Sequence, residues 1–259
     1  GLGDVYKRQD GKVGARNYVG VIPSVTCAND VAQAICRQVM GTVSFLHHQG
    51  CCQMPPDLER VTDTLISLGK SPNLASVLVV SLGCEGTDHE RMVKEIAATG
   101  KHVEIIHIQE LGGVSKAIQV GTDIARRMVI EASGMQRQPV DVSKIVMAIK
   151  CGASDTTSGM ASNCVIGYVA DKLVDLGGTA IFEEIVEAIG LDSLLIGRAA
   201  SEQAAKELRY TYDKALDYCK SVRQYSVSPG NFAGGLSTIE EKSMGAVIKS
   251  GSRPIQGVT

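Results

Sequence analysis

Ser76-Val-Leu-Val-Val-Ser-Leu-Gly-Cys-Glu-Gly86 decides the fold: a strand-length apolar run ends in a glycine turn, and Gly86-Thr-Asp88 then caps a helical stretch from His89 to Thr99. The same alternation recurs on both sides. Strand-like runs fall at Tyr18 to Ile22, Thr42 to Leu46, Val103 to Ile108, Lys144 to Ile149 and Thr179 to Phe182. Helical stretches lie between or beyond them at Asp30 to Met40, Pro56 to Leu68, Val114 to Ser133, Ala161 to Leu176 and Ala199 to Val222, with Pro55-Pro56-Asp57 opening the second. Strands alternating with helices predict an α/β fold: parallel sheets doubly wound by helices through right-handed crossovers.

The polar segment Met135 to Asp141 interrupts the pattern. The expectation is two consecutive α/β units, 10–135 and 143–259, joined by a linker at 136–142, with the second unit incomplete. Asp4-Val-Tyr-Lys-Arg-Gln9 reads as the translation of a transposon-end sequencing adapter, so residues 1–9 are set aside as an artefact. Gly257-Val-Thr259 closes the chain without an obvious terminal element, and the C-terminus is expected to be cut.

Of the 259 residues, 44% are hydrophobic, enough for a buried core. A formal net charge of -2 and the lack of a Lys/Arg run leave no electrostatic footprint for nucleic acid or an anionic membrane, so a small diffusible partner is expected. The longest apolar stretch falls well short of the roughly 20 residues a membrane helix requires, and the protein reads as cytoplasmic. Eight cysteines without regular spacing argue for reduced thiols. Cys36, Cys164 and Cys219 fall on helical faces and read as core, whereas Cys27 reads either way.

Polar chemistry gathers directly after the strands: Ser24 to Asn29, His47 to Cys51, Gly83 to Gly86, Gln109 to Gly113, Lys150 to Asp155, and Glu183 to Glu187. In open α/β sheets ligands bind beyond the carboxyl ends of the strands, so six such ends point to one shared site or one per unit. Thiolate, imidazole and carboxylate together suit a borderline-soft divalent ion such as Fe(II) or Zn. No Cys-x-x-Cys pair, Walker loop or dinucleotide fingerprint occurs. His47 is read as functional in preference to His48, and His89, His102 and His107 as surface or structural.

Taken in order, these residues resemble the altronate/galactarate dehydratase family, which also includes the large subunit of sulfolactate sulfo-lyase. Asp10-Gly-Lys-Val-Gly-Ala-Arg-Asn-Tyr18 is similar to its D-G-R-x-G-x-R-N-Y, His47-x-x-Gly50-Cys51 to H-x-x-G-C, and Leu82-Gly-Cys-Glu85 to L-G-C-E. Lys150-Cys-Gly-Ala-Ser-Asp155 with Ser158-Gly159 resembles K-C-G-G-S-D-x-x-S-G. Ser228-Pro-Gly-Asn231, Gly234-Gly235 and Glu240-Glu-Lys-Ser243 match a later motif. Departures are Ala153 for a second glycine, Cys164 where Asn-Pro is common and Glu183 where Ser-Glu is typical, while Glu184 and Glu187 keep an acidic pair.

The resemblance implies elimination of water from a sugar acid, of altronate or galactarate type, to give a 2-keto-3-deoxy acid. Sulfite release from sulfolactate is the close alternative, and a non-catalytic iron or iron–sulfur protein the alternative of another class. A divalent metal is expected, Fe(II) first and Mn(II) or Zn after it, drawn from His47, Cys51, Cys84 and Cys151. Glu85, Lys150, Asp155 and Glu184 are the acid/base candidates, since a Lys or carboxylate buried beside a cation can be tuned towards neutral pH. Arg16, Asn29, Ser158, Asn231 and Lys242 are the substrate-binding candidates. Expected partners are the hydroxy-acid substrate and a small β-rich N-terminal domain or separate small subunit, within an oligomer.

Overall fold

The structure is a computed structural model that describes residues 4–152 and 154–259; Gly1 to Gly3, part of the segment set aside above, and Ala153, the departure from the family glycine, lie outside the described residues. It divides into two compact units, Gly1–Val140 and Asp141–Thr259.

Unit 1 comprises β1 (Asp4–Lys7), β2 (Val13–Gly14), β3 (Tyr18–Pro23), α1 (Asn29–Gln38), β4 (Thr42–Ser44), α2 (Pro55–Gly69), β5 (Leu74–Ser81), α3 (His89–Ala97), β6 (His102–His107), α4 (Val114–Ser133) and β7 (Gln138–Pro139). Four strands form a parallel sheet in the order β4-β3-β5-β6. Successive strand residues face opposite ways. Val19, Val21, Leu78, Val80 and Ile106 therefore pack with Ile35 of α1 and Met128 of α4, while Ile22, Val77 and Val79 pack with Leu65 of α2 and Ile96 of α3. The sheet is thus wound on both faces, and each fully buried aliphatic side chain contributes about 1.5–3 kcal/mol. Asp88 caps α3 by accepting a hydrogen bond of 2.8 Å from the Arg91 amide.

Since β4 follows β3 in the chain but β5 lies on the other side of β3, the strand order reverses between β3 and β5. That reversal opens a crevice at their carboxyl ends. Asp4–Lys7, set aside in the sequence reading, forms β1, which pairs antiparallel with β2 and with β7 inside the stretch read as linker. Val5 turns inward and is buried, as is the Arg8 side chain, whose guanidinium donates to Asn17 Oδ1 and to the carbonyls of Arg16 and Pro72.

Unit 2 contains β8 (Val146–Ile149), α5 (Asn163–Asp175), β9 (Thr179–Phe182), α6 (Asp192–Ile196), α7 (Glu202–Val222), α8 (Pro229–Ala233) and α9 (Ile239–Ile248). The parallel pair β8-β9 is its sheet, joined through α5. Ala188, Leu195, Leu208, Val247 and Ile255 make its core. α5 approaches α9 closely because Gly167 lies against the Ile248 carbonyl, and so does the turn before α5, since a Cβ at Gly245 would stand 3.1 Å from Gly159 Cα. Cys219 is buried as expected, but Cys164 and Cys27 are exposed, the former on the solvent face of α5.

Candidate active site

At the reversal in unit 1, Ser24 follows β3 and Glu85 follows β5. The Ser24 hydroxyl donates to Glu85 Oε1 at 2.6 Å, the Gly83 amide donates to Oε2 at 2.7 Å, and the carboxylate side chain is 0% exposed. Burial alone raises a carboxyl pKa, but hydrogen bonds from Ser24, Ser81 and the Glu85 and Gly83 backbone outweigh it and hold Glu85 down at about 2. His89 Nδ1 stands 3.5 Å from Glu85 Oε1, its ring packs edge-on against His107, and His107 Nδ1 pairs with Ser81 Oγ at 3.0 Å. Of the histidines read from sequence as surface or structural, His89 thus borders the carboxylate and His107 lies behind it against Ser81, while His102 pairs with Glu104 and Glu131 on the surface.

The other predicted residues of unit 1 do not converge on a ligand set. Gln49 N–H can only donate, so it makes His47 Nδ1 an acceptor at 3.3 Å and leaves Nε2–H to donate to the Pro23 carbonyl at 2.9 Å. Both ring nitrogens are occupied by backbone. Asn29 uses its amide to hold the His47 backbone at 2.7 Å. Cys51 and Cys84 are exposed; Cys51 Sγ lies 3.5 Å from Cys52 Sγ, and that neighbour, with Glu85 adding to it, raises its pKa. Arg16 is exposed and precedes β3, at the amino edge of the sheet rather than the carboxyl edge. A cavity of about 600 Å³ beside α2 is lined by Phe45, His47, Asp57 and Arg60.

Unit 2 brings its residues together. Lys150 and Cys151 follow β8, and Glu184 follows β9 in a left-handed conformation with φ of 69°. Lys150 Nζ donates to Glu184 Oε1 at 2.7 Å, and the Cys151 amide donates to Oε2 at 3.1 Å. Two residues absent from the predicted set complete the group. Lys249, 1% exposed at the end of α9, donates to Glu184 Oε2 and, at 2.9 Å, to Cys151 Sγ. Buried Glu187 faces it at 3.9 Å through Oε2, which accepts no hydrogen bond.

These contacts fix the charges. Burial raises the Glu184 pKa, but Lys150, Lys249 and the Cys151 amide bring it down to about 2. Glu184 raises Lys150; for Lys249 burial lowers the pKa, and the contacts with Cys151 and Glu184 reverse this to a net rise. Asp155 is lowered by Thr157 and Ser158. None of the four acid/base candidates therefore moves towards neutral pH, because each charge already has its partner.

Cys151, Glu184 and Glu187 place ligand atoms within 4.8 Å of one another, the one such group among the described residues. One sulfur and two carboxylates, one of them with an orphaned buried oxygen, fit a borderline-soft divalent ion. Of the four residues read as metal ligands, Cys151 alone belongs to this group.

The remaining candidates form its wall. Asp155 Oδ1 accepts from Thr157 Oγ1 and from the Ser158 amide and hydroxyl, so it caps the turn into Ser158–Ser162. Asn231 is buried, donating to the Ser154 carbonyl and accepting from Lys242. Lys242 is not a solvated cation: it pairs with Glu187 Oε1 at 3.0 Å and donates to the Ser226 carbonyl. A cavity of about 160 Å³ lies between Asp155, Ser158, Asn163, Glu241 and Lys242.

A profile described as D-galactarate dehydratase/altronate hydrolase, second domain, matches residues 5–133, and one described as D-galactarate/altronate dehydratase, C-terminal, matches residues 142–259. The chain belongs to this dehydratase family. It is 37% identical over 253 residues to the (2R)-sulfolactate sulfo-lyase subunit beta of Chromohalobacter salexigens, covering 96% of this chain and 64% of that one. Altronate dehydratase of Bacillus subtilis is 30% identical over 98% of this chain and 53% of its own, and galactarate dehydratase (L-threo-forming) of Escherichia coli 30% over 96% and 52%. The chain thus spans between about half and two thirds of these relatives' length. The family motifs K-C-G and L-G-C-E supply the central residues of the two clusters, Lys150-Cys151 and Glu85. Among the described residues no helix is long and apolar enough to cross a membrane.

Proposed function

We propose that the protein is a lyase that eliminates a β leaving group from a 2-hydroxy acid, with its active site in unit 2. The observation that carries this reading is the convergence of Lys150, Cys151, Glu184, Glu187 and Lys249 at the carboxyl ends of β8 and β9. The reaction removes the proton α to the carboxylate and expels the β substituent. The resulting enol tautomerises to a 2-keto acid, so the site must accommodate a second negative charge on the substrate.

A divalent ion held by Cys151, Glu184 and Glu187, Fe(II) in the first instance and Mn(II) or Zn otherwise, would supply Lewis-acid polarisation of the substrate carboxylate and hydroxyl. Lys150 is the cation a substrate reaches first, since its side chain is 63% exposed while Glu184 at its other face keeps it protonated. It serves as the proton donor to the departing group. Glu187 Oε2 is the carboxylate oxygen that no hydrogen bond engages, so it is the atom that Glu187 would offer to the divalent ion.

Water is the leaving group in the sugar-acid reading, supported by the names of the dehydratase relatives. Sulfite from sulfolactate is the second reading, favoured by the higher identity to the sulfo-lyase subunit. That relative's designation as subunit beta also supports a separate partner subunit. The test is 2-keto acid formation from a panel of aldonates, aldarates and sulfolactate by the full-length protein, with its small subunit if one exists, under anaerobic Fe(II). Turnover of one substrate that disappears with chelator and in Lys150→Met establishes both reaction and leaving group. Folded, iron-loaded protein that turns over nothing on the panel overturns the lyase reading in favour of iron storage or electron transfer.

A further inference from the structure

Lys249 is among the most deeply buried side chains of the chain, and it is a cation. Its ammonium touches Cys151 Sγ and Glu184 Oε2 and stands 3.9 Å from Glu187 Oε2. These are the three residues whose ligand atoms would hold a divalent ion. One ammonium thus fills the space towards which all three point.

Its position is imposed by the backbone on either side. The Ile248 carbonyl packs against Gly167, and Ser250 donates to the Val247 carbonyl and accepts from Arg198 at 2.8 Å. The outer carboxylate oxygens are already taken, Glu184 Oε1 by Lys150 and Glu187 Oε1 by Lys242. Three ammoniums therefore share two carboxylates, and Lys249 alone meets their inner oxygens and the sulfur. Adding two further positive charges at the same point, with Lys249 still in contact, would place like charges at van der Waals separation in a buried volume.

We propose that Lys249 is the resident counter-cation of the Cys151–Glu184–Glu187 pocket, which a divalent ion must displace in order to bind. Metal loading and release of the lysine are then one event. In the metal-free protein the lysine keeps two buried carboxylates from repelling each other; in the loaded protein it is set free at the edge of the site, beside the bound acid. The proposal rests on the metal-binding part of the lyase reading and adds to it what competes for the pocket.

Mn(II) binding to the full-length protein, measured by calorimetric titration, tests it. Lys249→Met should bind Mn(II) at least tenfold more tightly than the wild type, while Lys249→Arg, which keeps the cation, should show no gain. If the methionine variant folds poorly without metal, the same competition is read in the wild type: amine labelling of Lys249, followed by mass spectrometry, should rise on saturation with Mn(II). Mn(II) binding by Lys249→Met no tighter than wild type, or Lys249 labelling unchanged by bound Mn(II), overturns the proposal and leaves the metal site standing. Absence of Mn(II) binding in both proteins overturns the metal reading and the competition with it.

Discussion

Ser24 Oγ donates a 2.6 Å hydrogen bond to Glu85 Oε1, tying the end of β3 to the end of β5 where the strand order reverses. Because the carboxylate side chain is shielded from solvent and held at about 2, this contact is a charge-assisted bond. Ser24→Ala should lower the unfolding free energy by about 1.5–3 kcal/mol at neutral pH. Glu85 contributes its stabilisation above the usual 4.5 and loses it as pH falls towards 2, so the gap between wild type and variant should narrow across that interval. Urea titrations at neutral pH and at about pH 3 check this; a gap that does not change with pH would show that Ser24 acts through packing alone.

Gly50, the glycine of H-x-x-G-C, has φ of 103°, and a Cβ there would stand 2.7 Å from the Ser24 carbonyl oxygen and 2.9 Å from Val25 Cα. Gly50→Ala should cost roughly 1–3 kcal/mol from the backbone conformation alone, with the overlap adding to it. Its carbonyl also accepts from Gly86, so the strain reaches the Glu85 loop. Thermal unfolding of the variant should show the loss, and a melting temperature equal to wild type would remove the steric account of the motif.

Much of this was legible in the sequence because apolar runs and glycine turns are local signals. The β5 segment, buried along its whole length, and the capped helix after it repeat around unit 1, and the α/β class follows from that repetition. Lys150, Cys151 and Glu184 were legible because they follow strands. Lys249 was not: it sits after a helix rather than a strand. That helix, α9, is buried around most of its circumference and shows no amphipathic period. Two signals were nevertheless present. Thr238-Ile-Glu-Glu241 is a capping-box pattern, and Lys242 and Lys249 are seven residues apart, on one helical face. The pairing of His47 with backbone, and of Asp155 with its own turn, depends on tertiary and loop geometry that spacing does not encode.

Glu184 accepts from Lys150, Lys249 and the Cys151 amide at once, so Glu184→Gln removes the charge that organises both lysines. Turnover should fall by about 10²–10⁴. The 2-keto acid assay reads this directly, and circular dichroism at the assay temperature verifies that the variant remains folded. Activity within a few-fold of wild type would mean that the lysines are held by something other than Glu184.

Lys150 and Lys242 both pair with glutamates of this cluster, yet their burial predicts opposite signatures. Lys242 is 8% exposed and bonded to Glu187, Asn231 and the Ser226 carbonyl. Lys242→Met leaves the buried Glu187 Oε1 without its partner and should cost about 3–5 kcal/mol of stability. Its KM should stay unchanged in whatever fraction remains folded, because the residue supports the wall rather than the ligand. Lys150, largely in solvent, forms a pair whose loss the fold hardly registers, whereas in the proposed reaction a substrate would meet that ammonium directly. Lys150→Met should leave the urea midpoint at the wild-type value while reducing turnover by at least tenfold. Measuring midpoint, kcat and KM on both variants separates the two roles: a raised KM with an unchanged midpoint in Lys242→Met would move that lysine from the wall into substrate binding.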